Sequence, residues 1–264
     1  MPRWVTFNDN ARIHVHRRRI HEIFRDFAGD RRSGPPGRLP HPSQRLLRRP
    51  RLGAVRADGL ETDEYDGQAR HCLVRNRASG EHIGCVRLIL AEPNGPRPQL
   101  PFETTCAGVL DRSIIDPARI DRNRIAEVSR LSIVGSYRRR RGEESSPGTV
   151  QDADFGTPER PRFPYLLVGL YMGVFALADM HGLEKLFLLS ETRLARHLNK
   201  IGITNTRIGD AVEHRGMRAP AVMDVRQVID RLDPLLGSVY SVVRSGLEEA
   251  YCRAGLAFEH EVLG

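Results

Sequence analysis

The longest uncharged run, FPYLLVGLYMGVFALA from Phe163 to Ala178, constrains the fold more than any other segment. A membrane span needs roughly 20 consecutive apolar residues; this run is shorter and is interrupted by Pro164, Gly169 and Gly173. No membrane span is expected. The run reads as a buried helix, running from about Pro164 to Met180, that other elements must cover. With 264 residues, 40% of them hydrophobic, the chain has material for that core.

The cover comes from strands. RHCLVRNRASGEHIGCVRLIL, residues 70–90, sets two apolar runs around Ser79 and Gly80, a hairpin pattern. IAEVSRLSIV follows at 125–134, then KLFLL at 185–189, TNTRIG at 204–209 and a last strand around Ala221 to Val225. Between them the chain predicts a helix with Ser190 as N-cap, Glu191 at its positive end, Leu194, Leu198 and Ile201 on one face, and Gly202 as its stop. The order hairpin, strand, helix, strand, helix, strand predicts an α/β fold. EESSPGTVQDADFGTPERPRF at 143–163 reads as a long, flexible polar insertion.

The charge is unevenly placed. Residues 1–58 hold 14 arginines against 5 acidic residues, while the remainder holds 27 basic against 28 acidic, so the net charge of +8 is entirely N-terminal. Only Lys185 and Lys200 are lysines, and aromatic residues make up 6% of the chain. Phosphate-binding surfaces usually mix arginine with lysine, and single-strand binding needs aromatic platforms. Nucleic acid is therefore not the expected partner. Cys72, Cys85, Cys106 and Cys252 form no C-x-x-C pair, and no secretory leader precedes them, which points to a reduced, cytoplasmic setting. No metal cluster or nucleotide-binding fingerprint is visible. Residues 1–58 follow neither a 3.6 nor a 2.0 period and read as an irregular, arginine-rich segment ahead of a domain at 59–264.

Three short motifs then carry a resemblance. ETDEYD at 61–66, GCVRLIL at 84–90 and EVSR at 127–130 resemble the acidic and arginine motifs of the acyl-homoserine-lactone (autoinducer) synthases. SETRLARHLNKIGI at 190–203 and IGDAVEHRGMRAP at 208–220 resemble the N-acyl amino acid synthase branch, in particular the acyltransferases associated with the PEP-CTERM/exosortase system. The likeness spans about residues 59–228. It implies a GNAT-type acyltransferase fold, with a mixed central sheet flanked by helices, and an N-acyltransferase activity. The donor would be an acyl-phosphopantetheine thioester on acyl carrier protein or coenzyme A, with no tightly bound cofactor, and the acceptor a small amine such as an amino acid. In such a fold the central strand splays from its parallel neighbour, here KLFLL, and the thioester arm lies in the gap, pairing with exposed backbone as an added strand would.

An incoming ammonium must lose a proton before it attacks the thioester, and Glu127 on the central strand is the candidate acceptor. Ser129 and Arg130 complete the expected catalytic set. Strict alternation puts Glu127 and Ser129 on one face and Arg130 on the other, so Glu127 and Arg130 reach one pocket only if a bulge shifts the register. The alternative is an ordinary Glu127–Arg130 ion pair. Glu61, Asp63 and Asp66 suit the acceptor's ammonium, with Arg87 either pairing these acids or holding the acceptor's carboxylate; the alternative is an acidic surface turn. Arg87 sits in an apolar strand, where a charge needs a partner. His214 offers a proton shuttle or a structural contact. Arg138, Arg139, Arg140 and Arg141, just past the strand, stand where a coenzyme A enzyme carries a glycine-rich loop. They suit an acidic carrier protein instead, or form a solvated basic turn.

One departure from the family concerns an arginine-x-x-Val-Phe/Tyr segment upstream of the acidic motif, where this chain has HPSQRLLRRPRL at 41–52. Read one base out of frame, codons available to that stretch permit Ile-Arg-His-Asn-Val-Tyr-Cys-Val-Asp-Arg-Gly-Trp, which contains the missing pattern. Part of residues 1–58 is thus expected to come from a displaced frame, which puts the activity of this chain in question.

Overall fold

The structure, a computed structural model, describes residues 63–76, 82–133 and 165–254, with short strands at 5–8, 11–16, 156–157 and 160–161. The strands are β1 (Val5–Asn8), β2 (Ala11–His16), β3 (Ala69–Asn76), β4 (His82–Leu90), β5 (Ile125–Ile133), β6 (Gly156–Thr157), β7 (Arg160–Pro161), β8 (Lys185–Ser190), β9 (Thr206–Arg207), β10 (Val212–Glu213) and β11 (Met217–Asp224). The helices are α1 (Pro101–Thr105), α2 (Tyr165–Met180), α3 (Thr192–Lys200), α4 (Val225–Asp230) and α5 (Pro234–Ala254).

Nine of these strands form one mixed sheet in the order β1-β2-β3-β4-β5-β8-β11-β10, with β9 also on β11. Every pairing is antiparallel except β5 with β8. The uncharged run forms α2, whose residues from Leu167 to Ala178 are all buried, as a helix without a polar face requires. It packs on β3, β4 and β5 and against α5, which covers β1 and β2 on the same face of the sheet, and Leu236, Tyr240, Val243, Leu247 and Tyr251 supply the buried stripe of α5. A second, smaller cluster covers the opposite face of the sheet. There Phe102 of α1 stacks on Phe187 of β8, centroids 4.5 Å apart, against Ile89 and Ile125.

Several details differ from the sequence reading. Residues 5–8 and 11–16 extend the sheet as strands, although residues 1–58 read as irregular; the rest of that segment lies outside the described residues. Ser190 ends β8, paired with Ala219, and the cap position of α3 falls on Glu191 instead. Sheet pairing held Ser190 against its capping tendency. Gly202 ends α3 as expected, with a φ of 85° and the Ile203 N–H donating back to the Leu198 carbonyl. The strand expected at 221–225 runs from Met217 to Asp224, and that at 204–209 shortens to Thr206–Arg207. Helices α1, α4 and α5 had no counterpart in the sequence reading. Asp224 and Asp233 cap α4 and α5, accepting the N–H groups of Gln227 and Leu236, a signal present in the sequence. Of the insertion at 143–163, the described residues form the β6–β7 hairpin.

Two features of β5 create a site. Its pairing with β8 runs from Ile125↔Lys185 to Val128↔Leu188, yet β5 continues to Ile133 and β8 to Ser190. The two strands therefore part beyond Val128, as the resemblance implied. On the other side, β5 pairs Cys85↔Ser132 and then Arg87↔Ser129, so Arg130 and Leu131 together oppose Val86. This is the required bulge, and Arg130 occupies it with a φ of 51°.

The chain covering Glu127's face is pinned at Gly209. Leu110 bridges to Gly209, the Asp111 N–H donates to the Ile208 carbonyl, and a Cβ on Gly209 would stand 2.4 Å from the Val109 carbonyl oxygen. Backbone on both sides cannot rotate out of the way. Gly209→Ala should therefore destabilise the fold by about 1–3 kcal/mol, the range for overpacking, lowering the thermal midpoint in a calorimetric scan; an unchanged midpoint would show that this contact is loose.

Candidate active site

The residues with chemistry collect on one side of the β4–β5 pair. Arg87, on β4, donates from Nη1 to Asp63 Oδ1 and Asp66 Oδ1, each at 2.7 Å, and from Nε to Ser129 Oγ at 2.9 Å. Arg130 reaches the same acids, with Nη2 2.9 Å from Asp63 Oδ2 and Nη1 3.2 Å from Asp66 Oδ1. The bulge makes this possible, because regular alternation would turn Arg130 to the other face. A left-handed φ costs a non-glycine residue on the order of 1 kcal/mol, and two charge-assisted contacts offset it.

The acidic stretch owes its position to local turns. Asp63 Oδ1 accepts the Tyr65 N–H and Asp66 Oδ2 accepts the Asp63 N–H, each at 2.9 Å, and the Gln68 side chain anchors the next residues to the Leu90 carbonyl at 2.7 Å. Burial works against ionising Asp63, but Arg87 and Arg130 outweigh it and hold its carboxyl below the ordinary value. Burial likewise disfavours the charged form of Arg87, and the two aspartates overcome it. Of the two roles weighed for Arg87, the described contacts are those of pairing the acids.

Glu127 lies elsewhere on this face. It is 5% exposed, and its Oε2 accepts the Phe102 N–H of α1 at 2.7 Å. It is not ion-paired to Arg130, whose described partners are Asp63 and Asp66, so the ordinary-pair alternative does not hold. Burial raises the Glu127 carboxyl to about 8, against the lowering effects of the Phe102 N–H and Arg87. A carboxyl with that midpoint exchanges protons near neutral pH. It stands one residue before the last β5–β8 pair, Val128↔Leu188, opposite Phe187.

The sequence reading missed His71 of β3, directly opposite Arg87 in the ladder and 1% exposed. Burial lowers its imidazole to about 4, with Arg87 and Arg130 acting in the same direction, so it stays neutral beside the charged cluster. It also missed Phe102, which acts through its backbone. His214 stands in the β10–β11 hairpin, its N–H donating to Gly216, and no described hydrogen bond joins it to the cluster. Glu61 and Arg138, Arg139, Arg140 and Arg141 lie outside the described residues. The four cysteines are free thiols, and among the described residues no His/Cys/Asp/Glu group could hold a metal and no helix is long and apolar enough to cross a membrane.

Residues 49–146 match the acetyltransferase (GNAT) domain, which supports an acyltransferase. No curated protein matches the chain in sequence. Among solved structures, MesI, a CoA-dependent acyl-homoserine lactone synthase, is 20% identical over 89% of this chain and 95% of its own, with a TM-score of 0.51. The acyl-homoserine lactone synthase LasI is 15% identical over 81% and 89%, TM-score 0.49. FeeM, an N-acyl amino acid synthase from uncultured soil microbes, is 13% identical over 65% and 74%, TM-score 0.41. The domain match and the likeness to MesI bear out the GNAT-type mixed α/β fold.

The raised midpoint of Glu127 has a consequence for stability. An unfolded chain ionises this carboxyl near its ordinary value of 4.5, whereas the folded chain keeps its proton to about 8. Between those values the unfolded state binds fewer protons, so this group's contribution to stability is full below about 4.5 and is lost as pH rises through about 8. Glu127→Gln, which keeps an acceptor for Phe102 without the charge, should raise the denaturant midpoint by an amount that grows from pH 5 to pH 8. A gain that does not vary with pH would contradict a buried titrating carboxyl.

Proposed function

We propose that the protein is an N-acyltransferase that moves a fatty acyl group from the phosphopantetheine thioester of acyl carrier protein to the amine of an amino acid or related small molecule. The observation that carries this reading is the buried carboxyl of Glu127, held on β5 where β5 and β8 part. The acyl arm enters that gap, and its amides pair with β5 backbone beyond Val128. Asp63 and Asp66, with Glu61, receive the acceptor's ammonium, while Arg87 and Arg130 hold both carboxylates in place. Glu127 takes the ammonium proton, the neutral nitrogen forms a bond to the thioester carbonyl carbon, the carbon–sulfur bond breaks, and the nitrogen's second proton passes to the departing sulfur, leaving the amide and the free thiol. Ser129, held by Arg87 Nε, fixes the guanidinium that aligns the cluster.

The sequence stretches at 190–203 and 208–220 support the N-acyl amino acid synthase branch and, within it, the acyltransferases of the PEP-CTERM/exosortase system. A second donor reading is acyl-CoA, since MesI, of the same fold, is CoA-dependent. For the frame of residues 41–52, resequencing the coding DNA is the test: an intact open frame with no displaced homologous segment ends that idea.

Mass spectrometry of lipid extracts from cells expressing the chain tests the activity: new N-acyl amines are expected, and their absence, with folded protein present and both donors supplied, overturns the reading. With purified protein, Glu127→Gln should lower turnover by about 10²–10⁴-fold, the usual range for losing a general base, and raising pH should partly rescue the variant, because more of the acceptor amine is then already neutral. Replacing Arg138 to Arg141 with serine should raise the apparent KM for acyl carrier protein and flatten its salt dependence, leaving short thioester mimics unaffected; equal losses with both donors would point to damaged folding.

A further inference from the structure

Glu127 is fixed by the backbone of α1, and α1 is itself tied to the segment that leads into β5. Glu103 of α1 turns its Oε2 back to the Leu100 N–H at 2.8 Å, closing the turn that presents Phe102. Arg122 then grips the Glu103 carboxylate with two prongs, Nη1 to Oε1 at 3.0 Å and Nη2 to Oε2 at 2.6 Å. The same guanidinium donates to the Pro98 and Pro117 carbonyls, on the two stretches flanking α1 and β5. Arg122 opens the short 3-10 turn Arg122–Arg124, and Ile125 starts β5 directly after it. The links therefore close a ring: Arg122 to Glu103, Glu103 to the Leu100 turn, Phe102 to Glu127, and Glu127 along β5 back to Arg122.

An exposed ion pair would contribute little. This one is two-pronged and mostly covered, with side-chain exposures of 18% and 14%, the geometry in which an arginine–carboxylate contact fixes orientation as well as charge. Without Arg122 the ring has no covalent substitute, because the turn at Leu100 and the entry to β5 are separated by more than twenty residues of chain.

We propose that Arg122 and Glu103 are positioning residues for Glu127, holding the α1 turn so that the Phe102 N–H orients the Glu127 carboxyl at the mouth of the β5–β8 gap. The role of Glu127 as proton acceptor is the reading on which its catalytic value rests; the positioning itself is a property of the fold. The charged and titratable groups that face Glu127 are Asp63, Tyr65, Arg87, Glu103 and Cys106. Arg122 acts on two of the influences: it neutralises Glu103, whose charge raises Glu127, and it secures the Phe102 N–H, which lowers it. Loss of Arg122 therefore moves Glu127 upward on both counts. Glu103→Gln removes the repelling charge, while the glutamine oxygen in the place of Oε2 still accepts the Leu100 N–H and one Arg122 prong, so the turn stays held and Glu127 moves downward.

The experiment follows the Glu127 carboxyl by NMR in the full chain labelled with carbon-13 at glutamate carboxyls, the resonance assigned by its loss in Glu127→Gln. Relative to the unmodified chain, the titration midpoint should rise in Arg122→Ala and fall in Glu103→Gln. Turnover at pH 7 in Arg122→Ala should drop about 10–100-fold with KM unchanged, the scale of a misplaced catalytic group. A midpoint unmoved in folded Arg122→Ala overturns the proposal. Should that variant fail to fold, Glu103→Gln decides, and a midpoint that stays or rises overturns it. Shifted midpoints with an unshifted pH–rate profile would uphold the positioning and remove Glu127 from the chemistry, so the two readings fail separately.

Discussion

The left-handed turn of Arg130 in β5 is the constraint on which the rest of the site depends. By adding one residue against Val86, it moves the Arg130 side chain onto the face that carries Arg87 and Ser129. It comes two residues after the last β5–β8 pair, Val128↔Leu188, where the strands have parted. Bulges bend and twist a strand locally, so one distortion both sets the arginine and accompanies the opening of the sheet. The strain is held by Asp63 and Asp66, which bind Arg130 and Arg87 together.

Two electrostatic regimes then lie side by side. The Asp63–Asp66–Arg87–Arg130 group balances two negative charges with two positive ones, so partial burial is tolerated because each ion has a partner. Glu127 is buried with one backbone donor and an arginine that acts at a distance, and there desolvation prevails and lifts its midpoint to about 8. A paired carboxylate is a poor base because its charge is already stabilised. A desolvated one binds a proton readily and releases it near neutral pH, which suits proton transfer from an amine. His71, neutral behind Arg87, adds no competing charge to this arrangement.

Burying an unpaired carboxyl opposes stability, and the surrounding packing tolerates it. The Phe102–Phe187 stack and the Arg122–Glu103 grip hold α1 over Glu127, while the larger core on the other face of the sheet, built around α2 and α5, is fully apolar at its centre. Stability and chemistry are thus assigned to opposite faces of one sheet, and a change in the large core need not disturb the charged face.

The buried helix and the β3–β4 hairpin were legible in the sequence, because apolar periodicity reports which side of an element is covered, while the pairing of β5 with β8 was implied only by the family resemblance. So was the need for a bulge, since Glu127 and Arg130 stand on opposite faces of a regular strand. Helix α5 was missed although Asp233, Pro234 and the Leu236, Tyr240, Val243, Leu247 spacing announce it. His71 was not legible: nothing in RHCLV says that a histidine is opposite an arginine on the next strand. The sequence by itself determined which segments must be buried and which charges needed partners, both consequences of local pattern and of the cost of desolvation. Only the tertiary structure decided the partners. It paired Arg130 with Asp63 and Asp66 across more than sixty residues, gave Glu127 the backbone of Phe102, and closed the ring through Arg122, because such contacts depend on distances that sequence separation does not encode.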